Sequence, residues 1–169
     1  MSAEPAAAPA PPPPPAVPQP RLCDHLRVLL LFVATIAGVV PFVLPYGHGC
    51  IGSNGVPQLA ATGTPTLGNA AFTFTLSSAM PNTIAVFVGS LGSTNLDFGS
   101  CDLFVDLPIV ILGGPITDAV GAAVQPFPIP NDPTWLGDNL FFQFAVLDPV
   151  GSVLGLFVTS NALQVQVGS

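Results

Sequence analysis

"PIPNDPTWLGDNLFFQFAVLDP", residues Pro128 to Pro149, sets a turn-rich stop against a long aromatic strand. Pro128 and Pro130 remove two donors from any hydrogen-bonded ladder, so the strand before them ends. Asp132 suits a helix N-cap and Pro133 the first helical position. Thr134, Trp135 and Leu136 then make a single helical turn, closed by Gly137 in a left-handed conformation. From Asn139 the pattern switches to a period of two. Leu140, Phe142, Phe144 and Val146 share one face, as in a strand half-buried against a core. Trp135 and Leu136 are expected to plug one end of that core.

The same period recurs outward from this stretch. "NAAFTFTL" places Phe72, Phe74 and Leu76 on one face and Thr73 and Thr75 on the other. "NALQVQV" places Leu163, Val165 and Val167 inward and Gln164 and Gln166 outward. "CDLFVD" groups Cys101, Leu103 and Val105. "TIAVFVG" (83–89) is apolar on both faces, the mark of a central strand covered on both sides. Weaker strand candidates lie at 57–61, 109–112, 122–127 and 153–158. Turn signals such as "SNG", "GTPTLG", "MPN" and "DPVG" separate them. About eight short strands at this spacing predict an all-β fold, an antiparallel β-sandwich or jelly roll.

Charge is scarce and one-sided. Only 7% of the 169 residues are charged and half are hydrophobic. The only cationic side chains are Arg21 and Arg27; from Val28 onward there are seven Asp, one His, and no Lys, Arg or Glu. Such a body has nothing with which to neutralise phosphates, which excludes nucleic acid as a partner. It also has no Lys or Arg for an internal salt bridge, so apolar burial, backbone hydrogen bonds and a crosslink must hold it.

The N-terminal part reads differently. Residues 1–20 hold nine of the 21 prolines and little that could be buried, and are expected to be a disordered Pro/Ala-rich segment. Residues 21–44 read as an export element. Arg21 and Arg27 precede an apolar run from Val28 to Leu44, 17 residues long, at the lower edge of a membrane span. The run is expected to be one hydrophobic helix. It is either a signal peptide cleaved after Thr35-Ile36-Ala37 or a single membrane anchor through residues 28–44. Both place residues 45–169 outside the cytoplasm, as an exported domain in the extracellular space or periplasm.

The strings "YGHGC", "GTPTLGN", "IPNDPTWLG", "FQFAVLDP" and "SNALQVQVG" occur in this order across residues 45–169. Together they resemble an uncharacterised β-domain of exported bacterial proteins, often found at the C-terminus of extracellular chains. The resemblance implies an extracytoplasmic, mostly β domain and brings no catalytic residues.

Cys50 and Cys101 are the only cysteines beyond the export element, and an oxidising compartment favours their pairing. The alternative is two buried thiols. Catalytic residues are not expected. His48 alone could serve a Ser-His-Asp triad, G-x-S-x-G is absent, and one His with two Cys falls short of a zinc site. No cofactor is expected, with Ca²⁺ the one candidate. Asn131, Asp138 and Asn139, joined by Asp148, supply hard oxygen ligands in loops. Trp135 is the candidate for ligand binding, with core packing its alternative role. The expected function is therefore a non-catalytic exported module for cell-surface structure, adhesion or protein interaction. An extracellular glycan-binding module, calcium-assisted, is the alternative, with a cell-surface protein or glycan as partner. An enzyme of unassigned type is the third reading.

Overall fold

The computed structural model describes residues 38–169. The Pro/Ala-rich segment 1–20 and residues 21–37 of the export element lie outside the described residues. Ten strands form: β1 (Phe42–Tyr46), β2 (Gln58–Thr62), β3 (Thr73–Ser77), β4 (Ala85–Ser90), β5 (Ser93–Asp97), β6 (Asp102–Val105), β7 (Val110–Gly113), β8 (Ala123–Pro126), β9 (Asn139–Leu147) and β10 (Phe157–Gln166). A single 3-10 turn, Pro133–Trp135, interrupts them.

The strands make three antiparallel sheets. Five strands run in the order β1-β10-β9-β4-β7, three in the order β2-β3-β8, and β5 pairs with β6. The five- and three-stranded sheets face each other as a sandwich. Between them the buried faces meet as the period-two pattern requires. Phe87 of β4 and Phe142 and Phe144 of β9 lie against Phe72, Phe74 and Leu76 of the β3 segment, all buried. Phe74 is the centre of this cluster, with ring centroids 4.8 Å from Phe87 and 4.6 Å from Phe142. Aromatic rings at these separations add to the area they bury.

Two expectations about boundaries change. The β fold begins before Pro45, because Phe42, Val43 and Leu44 pair with Gln166, Val165 and Gln164 of β10. Val43 also packs against the core. The end of the apolar run 28–44 is therefore an edge strand, not part of a membrane helix: its apolar side chains have a sheet to cover. Among the described residues no helix is long and apolar enough to cross a membrane. Secondly, only Phe157 and Val158 of the candidate at 153–158 are strand, and they run on into "NALQVQV" as β10, whose register shifts between Thr159 and Ala162, while 153–156 form a turn. That bulge re-aims the residues between its halves. In β6 the expected face also changes. Phe104 and Val105 are buried and Leu103 only partly, because Phe104 slides under the Tyr46 ring.

Phe74→Ala is expected to cost about 3–5 kcal/mol, as for other buried aromatic truncations. Urea unfolding would show a lower midpoint at unchanged slope, and a loss under 1 kcal/mol would mean the cluster is not the core.

Candidate functional site

Most polar side chains of the interior converge on the β10 bulge. Leu140, Phe142 and Phe144 point into the sandwich, so Gln143 points to the outer face, where the β5–β6 hairpin covers it. Its Oε1 accepts from Phe104 N (2.8 Å), and its Nε2 donates to Asp102 O (3.1 Å) and Ser160 O (2.8 Å). Asn161 does the same toward β2. Its Oδ1 accepts from Leu59 N (2.8 Å) and its Nδ2 donates to Leu59 O (3.1 Å). Each amide thus takes the place of a strand neighbour on the side of the strand where none pairs. Thr159 and Ser160 spend their hydroxyls on Asp102 O and Asn161 O.

Cys50 and Cys101 meet beside the same bulge and are bonded, with Cα atoms 4.9 Å apart across 51 residues of sequence. Cys50 N donates to Thr159 O at 3.1 Å. The bridge ties the β6 hairpin to the loop that leads from β1 into β2. Tyr46 closes the outer side, donating its hydroxyl to Phe104 O (3.0 Å). Burial pushes that hydroxyl up to about 12, so it remains a neutral donor.

His48 Nε2 lies 3.2 Å from Asp102 Oδ2 on this surface, a contact that is ionic only while the imidazole is protonated, with the imidazole 73% exposed. The ring packs edge-on against Phe104. The Thr159 hydroxyl donates to the Asp102 carbonyl (2.9 Å).

The four residues expected to share a calcium ion do not come together. Asn139 opens β9 and Asp148 follows its end, so nine strand residues, ~30 Å, separate them. Asn139 Oδ1 accepts from Gln164 Nε2 (2.9 Å), and Asn131 lies against Gly68. Asp138 N instead continues the turn by donating to Trp135 O (3.1 Å). Asp148 is fully buried and already bound. Its carboxylate accepts from Ser53 N (2.7 Å), Ser53 Oγ (2.6 Å) and Val150 N (3.1 Å). Burial alone would raise its pKa; the bonds from the Ser53 hydroxyl, Ser53 N–H and Val150 N–H outweigh that and hold it below the ordinary aspartate range. Among the described residues no three His, Cys, Asp or Glu side chains cluster as metal ligands.

The local reading of the opening stretch holds except at Leu136, which leaves the turn in an extended conformation and is 39% exposed, so that Trp135 alone packs against the core. Asp132 caps the 3-10 turn by accepting from Thr134 N (3.0 Å), and Gly137 takes φ +88°. Trp135 is half-buried against Phe127 and lines a pocket of about 340 Å³ between the ends of β4 and β7 and the 3-10 turn. Ser90 is the sole polar side chain in that lining, which also includes Leu91, Leu107, Leu112 and Leu140. Sequence reasoning named Trp135 but missed these partners. Their signal was the charge-free run "LPIVILGGPIT" (107–117), too apolar for a loop and too short of alternation to be a half-exposed strand.

Asp148→Asn is expected to lower stability at neutral pH by about 1.5–3 kcal/mol, since an amide cannot accept all three donors. Because the folded-state pKa is depressed, the carboxylate stabilises above its unfolded pKa and that contribution is lost as pH falls through the folded value. The gap between wild type and variant should therefore hold at neutral pH and close below pH ~4. Denaturant titrations at both pH values read this out, and a gap that persists in acid would contradict it.

No family model, curated protein or solved structure matches this chain.

Proposed function

We propose that residues 38–169 are an exported, non-catalytic β-sandwich module for protein interaction at the cell surface, and that the interaction is self-association through β7. The observation that carries this is the edge itself. β7 closes one side of the five-stranded sheet, with Val110 52% and Ile111 72% exposed and Leu112 partly so. An unpaired edge of this kind is a template for a further strand; it is short and shifts register against β4, but it carries no charged side chain to repel a partner. The occupant is a second copy. The eleven residues between Asp106 and Asp118 carry no charge, while the remaining titratable surface is acidic. Two copies repel elsewhere and meet without repulsion here, and antiparallel pairing of β7 with itself satisfies a twofold axis.

Export is supported by the room that β1 leaves. The backbone from Val39 is engaged, with Ser169 N donating to Val39 O (3.2 Å), so eleven residues of the apolar run, Val28 to Gly38, precede the first engaged backbone group. As a helix this spans ~16 Å against a ~30 Å hydrocarbon core, too short for an anchor and suited to the apolar region of a cleaved signal. The side chains around Trp135 are almost all apolar, so they do not favour the glycan reading.

Two measurements test this. Sedimentation equilibrium of the wild type should show a dimer, and Ile111→Lys should weaken it at least 10-fold while leaving the circular dichroism unchanged. A monomeric wild type at high micromolar concentration would refute self-association. Intact mass of protein recovered outside the cytoplasm should begin at Gly38 and rise by two hydrogens on reduction. A mass retaining residues 1–37, or two free thiols, would refute cleaved export or the crosslink respectively.

A further inference from the structure

The pocket beside Trp135 has a shape and a charge that together select a ligand. On β4 the inward positions run Ala85, Phe87, Gly89. The first two fill the core, and the third has no side chain to do so. A Cβ at Gly89 would sit 2.7 Å from Leu112 Cδ1 and 3.0 Å from Phe142 Cδ1, so glycine is what lets these two side chains close the floor. Above that floor lies the cavity of about 340 Å³, within the range of small-molecule sites. Its walls are aliphatic and aromatic. Its rim stays apolar out into solvent, with Leu91 78% and Leu107 70% exposed.

A compact polar ligand would lose its hydration here and regain nothing. An extended hydrocarbon chain suits both the cavity and the apolar rim beyond it. The head group is selected by charge. Asp106 stands at the mouth: a Cβ on the lining residue Gly92 would lie 3.3 Å from Asp106 Oδ2, and Asp106 Oδ1 accepts from Leu107 N (2.8 Å). Residues 38–169 contain no Lys or Arg to hold an anionic head.

We infer that this pocket binds the alkyl chain of a small amphiphile with a cationic head, the chain lying along Leu112 and Trp135 and the ammonium group beside Asp106. The pocket takes Val110 and Leu112 on one face of β7, whereas self-association uses its backbone edge and Ile111 on the other face, so the two readings stand or fall apart.

Trp135 is the chain's only tryptophan and reports directly on the site. Its emission would be titrated with dodecyltrimethylammonium, dodecyl maltoside and dodecyl sulfate, each below its micellar and denaturing concentration, on the full exported protein and on Ile111→Lys. The cationic probe should give a saturable blue shift, the neutral probe should bind several-fold more weakly at low salt, and the sulfate weakest. Asp106→Asn should bring the cationic probe to the level of the neutral one. High salt should do the same, because an exposed charge pair is screened. Val110→Phe, which shares the face of Gly89 and fills the cavity, should abolish the shift, and Leu107→Asn, a rim change outside the core, should weaken binding of every probe. Loss of the shift in Ile111→Lys would tie the pocket to the dimer and overturn its independence. No shift with any dodecyl probe, or equal binding of all three, would overturn the proposal.

Discussion

A bulge in one strand, and the two buried amides it serves, hold the three sheets of this protein together. Where β10 shifts register between Thr159 and Ala162, Asn161 turns from the ladder and binds both backbone groups of Leu59, fastening the three-stranded sheet. On the other side Gln143 binds Phe104 N and the carbonyls of Asp102 and Ser160, fastening the β5–β6 hairpin. An unpaired buried backbone group costs as much as a lost hydrogen bond or more, so these amides are requirements of the fold as well as contacts within it. The disulfide at Cys50 and Cys101 lies beside them and fixes the loop before β2 to the start of the β6 strand covalently.

This dependence follows from composition. With no Lys, Arg or Glu after Arg27, no Lys or Arg ion pair can join the sheets. Apolar packing supplies most of the stability but is not directional. Direction must come from neutral hydrogen bonds with fixed geometry, and Asn and Gln offer a donor and an acceptor in one planar group. Asp148 plays the corresponding part at the far end of β9, where its carboxylate gathers the loop at Ser53.

Much of the fold was legible because alternation is a direct image of burial. Phe72, Phe74 and Leu76, the even positions of β9, and Leu163, Val165 and Val167 all point where their period places them. β1 was hidden because Phe42, Val43 and Leu44 continue an apolar run, and hydropathy alone does not distinguish an edge strand from the end of an export helix. β5 was hidden because "STNLD" has no apolar period; its place comes from backbone pairing with β6. The site was less legible than the fold. Asn139 and Asp148 both flank turns and look alike in sequence, yet a whole strand lies between them. Gln143 sits among phenylalanines and reads as an ordinary outward position, since nothing local signals that a hairpin covers it. Trp135 was visible as unusual, but the pocket it lines depends on Gly89, where the telling feature is a missing side chain.

The lone ion pair between His48 and Asp102 has a consequence for the solvents this protein tolerates. In most domains added electrolyte weakens attraction and repulsion together. Here, among the described residues, the one attraction is this contact, ionic only while His48 is protonated, and the other carboxylates only repel one another. Brine therefore removes a burden from the folded chain and takes almost nothing away, while apolar burial is strengthened by salts excluded from the surface. The folded state is one that gains from seawater and concentrated media, where a domain laced with Lys–Glu pairs would lose its electrostatic support.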